Sequence, residues 1–434
     1  YAYYCNGENG LNYSSYPKNS QKLTEDIINL IDHVVDFANY DNNSDVYVEG
    51  VVIVHTGPGA EYKGGDVNYI WSHKWNTRSP MLKDGKYVFE YSIQPEYWGS
   101  PGDITLGVFV HELGHLLFGL PDLYDTDYSS KGIGKWSLMA GGSWNGPGGM
   151  GGSPAHFDAW SRIQCGFTTA NNITSSATAQ AIPDVETNSS GAILRLWSNG
   201  ALGNEYFLIE NRLKTGYDTY LPSEGLLIWH IDESVSTSTG NDNEWYPGHS
   251  ATGHYLVALE QADNLFALEK NLGSGDASDP FPGSFSRTSF SGLTSPSSND
   301  YLGTGTLVAV SNISAAGATM TADLSVSLVL DVNDDVQAEA VPSDFELGQN
   351  FPNPFNPETR ICFDLPKRSH AILTVFNVLG EQVDELVNGE LPAGTHEVTW
   401  KPEIGSGQSY PSGVNFYRLV ADEITLTRKM LLIK

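Results

Sequence analysis

Residues 107–127 read GVFVHELGHLLFGLPDLYDTD. Apolar Val108, Phe109 and Val110 lead into an HExxH segment at 111–115, and Gly119 and Pro121 follow it. The pattern predicts a buried helix that ends at the glycine and cannot resume through the proline. Four helical residues turn through about 400°, so His111 and His115 leave one face about a turn apart. Two imidazoles so placed can meet one zinc ion at about 2.0–2.1 Å. Glu112, beside them, can reach a water on that ion and act as general base. HExxH arises by accident in about one chain of this length in fifty, and paired helical histidines also occur as ordinary surface residues. The apolar run before it and the stop after it favour the metal reading here. Asp122 stands where a third zinc ligand is often found.

Upstream, NSQKLTEDIINLIDHVVDFANY (19–40) is expected to form an amphipathic helix capped by Ser20, with Leu23, Ile27, Leu30, Ile31 and Val34 on one face. VEGVVIVHTG (48–57) reads as a buried strand and YVFEYSI (87–93) as an alternating one. From about residue 170, short apolar segments such as AILRLWS, EYFLIENRL, EGLLIWHID and HYLVALEQ alternate with Gly, Asn and Ser turns, which predicts mostly β structure. VLDVNDDVQAEAVPSD (329–344) is acidic and aperiodic, a linker by composition. Beyond it, RICFDL, AILTVFNV, HEVTW and GVNFYRLVA are strands separated by turns, expected to form a small β-sandwich in which Ile361, Phe363 and Leu365 point inward. The fold class is therefore α+β. The domains are expected at 1–169 (catalytic), 170–328 (β-rich second part of the same unit), 329–344 (linker) and 345–434 (sandwich).

The formal net charge of −29 argues against nucleic acid as a partner, because too few cations are present to displace phosphate counterions. It suits an extracellular, calcium-containing setting, or serves solubility alone. No apolar run approaches the roughly 20 residues of a membrane span. The chain starts at Tyr1 without methionine or a charged-then-apolar leader, so any signal or pro-segment is expected to be already missing. Three cysteines, Cys5, Cys165 and Cys362, cannot build a disulfide framework, although a Cys5–Cys165 bridge remains open.

Alternate oxygens at Asp41, Asn43, Asp45 and Glu49 have the spacing of a calcium loop, with Val46 where a glycine is usual. Asp276 and Asp279, with Asp263, are a second calcium candidate; solvated acidic turns are the alternative for both. His156 is read as lining a cleft or bonding locally, and His230 as a packed strand histidine.

YDNNSDVYVEGVVIVHTGPGAEYKGG, HELGHLLFGLPDLYD, GIGKWSLMAGGSWNG and SPAHFDAW together resemble the immune inhibitor A-like secreted zinc metallopeptidases, relatives of the metzincins. The likeness continues through EYFLIENR, GLLIWHIDES, LEQADN and GDASDPFPG, covering about residues 30–325. It implies a metzincin-like catalytic domain, protein or peptide substrates, and Met139 as a methionine beneath the metal site. The family pattern is HExxHxxGxPD, and this chain has one extra residue between His115 and Gly119. One helical residue turns the exit by about 100°. The expected remedy is a π-bulge near Leu117 or Phe118 that keeps Asp122 on the zinc. A looped-out turn after Gly119, or Asp125 in place of Asp122, are the alternatives.

LGQNFPNPFNPETRICFDLP, TVFNVLGEQV, LPAGTHEVTW, YPSGVNFYRL and RKMLLIK resemble the type A sorting domain of the type IX secretion system. That likeness implies export through an outer membrane, with release or surface anchoring, and the secretion machinery as the partner of residues 345–434. The leading reading is a secreted zinc endopeptidase that also binds calcium. An inactive adhesion or structural protein on a protease fold, and a zinc hydrolase of non-peptide amides, remain open.

Overall fold

The computed structural model describes all residues except 189–190, 250–252, 328–343, 392–393, 405–407, 410, 423 and 434. Apart from Asp344, the expected linker lies outside the described residues. The chain divides into two compact units, Tyr1–Val329 and Leu330–Lys434.

The first unit opens with a single turn, α1 (Ala2–Cys5), and the helix α2 (Ser20–Ile31). The cap of α2 is Asn19, whose side chain accepts from the Lys22 N–H, and not Ser20. Ser20 instead faces inward, its hydroxyl bonded to Tyr91 and His73. The helix stops at Ile31, so Val34 lies beyond it, and Leu30 and Val34 are exposed rather than core-facing. Leu23 and Ile27 pack against one apolar cluster and Ile31 against another beside the fully buried Ile28, while Ser20 and Gln21 bond to the neighbouring sheet.

That sheet has the order β1 (Val51–His55), β3 (Lys86–Pro95), β2 (His73–Lys83). β1 runs parallel to β3 and β2 antiparallel. The sequence reading missed β2, whose charged and polar residues hide its alternation. β1 is buried on one face only, since Val52 and Val54 are exposed while Ile53 and His55 are buried. The helix α3 (Gly107–Phe118) follows and packs against this sheet. A short helix, α4 (Ala159–Gln164), is capped by Asp158, which accepts from the Ser161 N–H.

The remainder of the unit is β structure. β4 (Asn171–Asn172), β6 (Leu194–Leu196), β7 (Glu205–Arg212), β8 (Gly225–Asp232) and β9 (Val257–Leu259) form one sheet in the order β4-β6-β7-β8-β9. β5 (Ala177–Pro183), β10 (Phe290–Ser291), β11 (Ala309–Ser311) and β12 (Thr319–Ser325) form another, ordered β10-β11-β12-β5. β8 is buried along its whole length, because both faces are covered. Side chains of β7 and β8 enter two hydrophobic clusters, one with Met139 and Trp136 and the other with Phe281 and Phe290. Arg212, fully buried, holds Asp218 through two bonds of 2.7 and 2.8 Å and Glu210 through one of 3.1 Å. Cys5 packs with Ile53, Ile70, Tyr91 and Ile93, whereas Cys165 lies against the Met139 cluster. The Cys5–Cys165 bridge is therefore not formed.

In the second unit β13 (Glu346–Leu347), β14 (Thr359–Leu365) and β17 (Gly394–Trp400) form one antiparallel sheet. β15 (Ser369–Asn377), β16 (Gln382–Leu391), β20 (Gly413–Ala421) and β21 (Ile424–Leu432) form a second, and β18 (Glu403–Ile404) pairs β19 (Gln408–Ser409). Ile361, Phe363 and Leu365 from one sheet and Leu373, Val375 and Leu419 from the other share a single buried cluster. Cys362 and Asp364 are only half-buried, the alternation that a period of two imposes.

Candidate metal centre

α3 carries His111, Glu112 and His115, all turned toward the protein. Its α-helical geometry runs unbroken to Phe118, so the expected π-bulge is absent. The extra residue is taken up by lengthening the helix, with Leu117 and Phe118 left exposed. Gly119 then adopts a left-handed conformation (φ 64°, ψ 21°), and the Leu120 N–H reaches back to the Gly114 carbonyl. This helix-ending turn sends the chain back under the last helical turn. The Leu120 carbonyl lies 2.6 Å from His115 Nδ1, and the Leu123 N–H bonds Met139 O at 2.8 Å. Asp122 is thereby returned to the two histidines.

Oδ1 of Asp122 stands 3.1 Å from His111 Nε2 and 3.2 Å from His115 Nε2, and the two Nε2 atoms are 3.1 Å apart. Each Nδ1 faces a carbonyl, Leu138 O at 2.9 Å for His111 and Leu120 O at 2.6 Å for His115. Those carbonyls hold the Nδ1 protons, which assigns the tautomer and leaves both Nε2 lone pairs free. Asp122 Oδ1 is buried and makes no hydrogen bond. With both rings neutral, three lone-pair donors therefore converge. Ligands about 2.05 Å from a tetrahedral ion lie roughly 3.3 Å apart, close to these separations. The donor set fits zinc.

Burial disfavours a charged His111, but Asp122 and Glu112 overcome this and raise its pKa to about 9. Burial likewise opposes ionisation of Asp122, and the two histidines reverse that, holding its carboxyl well below the usual range. Glu112 goes the other way, its pKa raised chiefly by burial.

Met139 is fully buried and packs against Gly114, on the helix turn between the histidines. Asp125, the alternative ligand, is engaged elsewhere: its oxygens accept from the Asp127 and Ser130 N–H groups and the Ser129 hydroxyl. A groove of about 430 Å³ exposes the three donors and Glu112 beside Leu11, Trp71, Ser72 and Lys74. An adjoining recess is lined by Glu61, Tyr124 and Trp144 with His111 and Glu112. Sequence reasoning missed Glu61 and Tyr124. Glu61, its pKa raised by burial, accepts from Ser72, and the Tyr124 ring stacks on His111 with centroids 6.1 Å apart. The only signal for Tyr124 was its place in the PDLYD exit turn.

Asp263, Asp276 and Asp279 also come together with metal-ligand spacing. Asp279 is 1% exposed; its Oδ2 accepts from Trp136 Nε1 and the Asp276 N–H, both at 2.9 Å, while Oδ1 has no partner. Burial, then the neighbouring aspartates, push its pKa up to about 7. Asp41, Asn43, Asp45 and Glu49 behave differently. Their oxygens accept from N–H groups of their own loop, and Lys86 Nζ pairs with Asp41 at 2.5 Å. Val46 nevertheless takes the left-handed conformation (φ 71°) that a glycine would supply.

His156 lies away from the metal groove, its N–H donating to Asp218 and its ring 3.7 Å from Glu186. His230 is packed within β8 between Glu205 and Glu260.

Residues 18–167 match the family described as immune inhibitor A peptidase M6, catalytic domain. The chain is 34% identical over 160 residues to immune inhibitor A of Bacillus thuringiensis subsp. alesti, a match covering 30% of this chain and 22% of that protein. It is 36% identical over 158 residues to the pre-pro-metalloprotease PrtV of Vibrio cholerae serotype O1 (strain M66-2), covering 31% and 16%. The match thus spans less than a quarter of either relative. Among solved structures, an alkylpurine DNA glycosylase of Pseudomonas fluorescens (12% identity, 21% of this chain and 30% of that one) reaches a TM-score of only 0.16. PorZ of Porphyromonas gingivalis (11%, 56% and 38%) reaches 0.17, and neither value supports a shared fold. Among the described residues no helix is long and apolar enough to cross a membrane.

Proposed function

We propose that this chain is a secreted zinc-dependent endopeptidase acting on extracellular proteins. The observation that carries the reading is the convergence of His111 Nε2, His115 Nε2 and Asp122 Oδ1 beside buried Glu112, in a groove open to a substrate. The peptidase M6 match over residues 18–167 supports it. A zinc ion held by these three residues would supply the Lewis acid that polarises a scissile carbonyl and acidifies a water. The remaining chemistry belongs to the chain. Glu112, whose buried carboxylate binds a proton more readily than a solvated one, takes the proton of the attacking water and passes it to the leaving nitrogen. The Leu138 and Leu120 carbonyls fix both imidazole tautomers, and Met139 supports the helix from below.

On this reading residues 1–169 are the catalytic domain and 170–328 its β-rich continuation. Calcium is proposed at Asp263, Asp276 and Asp279, where an unpartnered buried oxygen supports it, and not at the Asp41 loop, where Lys86 already neutralises the carboxylate. We assign residues 345–434 to sorting by the type IX machinery; the sequence likeness supports this, and the second unit has its own buried cluster.

Casein hydrolysis and zinc content of the protein and its Glu112→Ala variant test the catalytic reading. The variant should keep zinc and lose activity about 10²–10⁴-fold. Zinc binding without hydrolysis by the unaltered protein would favour an inactive adhesion protein, and hydrolysis of small amides alone would favour the non-peptide hydrolase. Truncation after Asp344 should leave peptidase activity intact and abolish export in a type IX-competent host.

A further inference from the structure

A second cavity, of about 250 Å³, lies in the first unit and shares no lining residue with the metal groove or its adjoining recess. Its walls carry aromatic rings and carboxylates: Trp245, Phe266, Tyr301, Glu260, Glu269 and Asp300. Trp245 meets Phe266 and Tyr301 edge-on, with centroids 6.2 and 6.5 Å apart. Tyr301 also stacks on His230 at 4.1 Å and on His254 at 3.6 Å. No lysine or arginine is among the lining residues; Lys270 sits over the Phe266 ring but bonds the Leu265 carbonyl.

The two histidines are already committed, His230 to Glu205 and Glu260 and His254 to Asp232. The Tyr301 hydroxyl is buried and has no hydrogen-bond partner. Glu269 is 5% exposed, and its pKa is raised to about 8 by burial. Buried polar groups without partners are costly, and a recess lined by carboxyls, an unpartnered hydroxyl and the Trp245 ring favours a cation that brings N–H donors. A bare metal fits poorly, because the clusters with metal-ligand spacing among the described residues lie elsewhere. The volume falls below the roughly 300–1,000 Å³ of sites for whole small molecules, so one side chain or a small amine fits.

We propose that this cavity binds an organic cation, a guanidinium or primary ammonium group on a flexible chain, with Trp245 as its open aromatic wall and the Glu260 and Glu269 carboxyls and the Tyr301 hydroxyl as its acceptors. The ligand is either a free amine or a basic side chain of a peptide. The site stands apart from the metal chemistry and holds whether or not the chain is a peptidase.

Calorimetric titration of the full chain with agmatine (a free amine), N-acetyl-argininamide (a peptide-like side chain) and N-acetyl-citrullinamide (its neutral counterpart) tests this. At least one of the first two should bind tenfold or more tighter than the citrulline compound, and whichever binds tighter identifies the source. Trp245→Ala and Glu269→Gln should each weaken that binding at least tenfold and leave casein hydrolysis unchanged. If Glu269→Gln does not fold, the exposed-edge variant Trp245→Ala decides alone. No binding at millimolar concentration, equal binding of the neutral compound, or binding indifferent to Trp245→Ala would overturn the proposal and leave a cavity filled by water.

Discussion

The sulfur of Met139 lies 2.6 Å from where a Cβ on Gly114 would stand. The glycine inside HELGH is therefore set by the methionine beneath it. Gly114→Ala brings two opposed effects: about 1 kcal/mol of helix propensity gained, and about 1–3 kcal/mol of overpacking. The second should win. We expect a lower denaturant midpoint together with weaker zinc binding, because α3 must lift away from Met139. A more stable variant with unchanged zinc affinity would show that Met139 is not a fixed floor.

Asp122 and Asp125 stand three residues apart and should separate cleanly on substitution. Asp122→Ala removes a converging donor and should lower zinc affinity by more than about 100-fold, beyond the usual cost of altering an outer partner. Asp125→Ala removes an acceptor of two backbone N–H groups and one hydroxyl, so it should lower thermal stability while zinc is retained. Metal content after gel filtration and melting temperature distinguish the two. Zinc lost from Asp125→Ala and kept by Asp122→Ala would reverse the assignment.

The three-aspartate cluster should make stability depend on calcium. Asp279 must shed its proton to bind the ion, and its pKa near 7 means that this costs more as pH falls below neutrality. Calcium should therefore raise the melting temperature at pH 8 by several degrees and by less at pH 6. In Asp279→Asn the shift should vanish. Since Asp279 anchors Trp136, whose cluster contains Met139, chelation of calcium should also reduce peptidase activity. An identical calcium response in the variant would place the ion elsewhere.

His230 provides a separate pH dependence. Burial would lower its pKa, but hydrogen bonds to Glu205 and Glu260 outweigh this and raise it above its ordinary value. A histidine with a raised folded-state pKa contributes stability that is fully present below about 6.5. That contribution is lost as pH climbs through the folded value. Melting temperature should fall from pH 6.5 upward, and His230→Gln should flatten that part of the profile while destabilising the protein at pH 6. An unchanged slope in the variant would assign the dependence to other groups.

Local periodicity makes several parts of the molecule legible in the chain itself. HExxH and the apolar run ahead of it mark a helix with both histidines on one side, and Gly119 marks its end. Alternation at Ile361, Phe363 and Leu365 marks an inward face. These readings depend on the backbone's own repeat, which a few neighbouring residues already contain. In α2 the same method holds for Leu23, Ile27 and Ile31, which pack inward. It fails for Leu30 and Val34, because the helix ends at Ile31 and polar Ser20 and Gln21 take part of the buried face through bonds to distant strands.

The sequence alone determined that two histidines and a glutamate share a helix and that this helix ends at Gly119. Only the tertiary structure decided how an extra residue is absorbed, because that depends on whether the helix can lengthen into solvent, as Leu117 and Phe118 do. It also brought Asp122 onto the histidines, Met139 under Gly114, and Glu61 and Tyr124 into the recess. It assembled Asp263, Asp276 and Asp279 around one point and placed Cys5 and Cys165 in different clusters. Each of these relations joins residues across a turn or between distant segments, and such distances are set by packing, which no local repeat encodes.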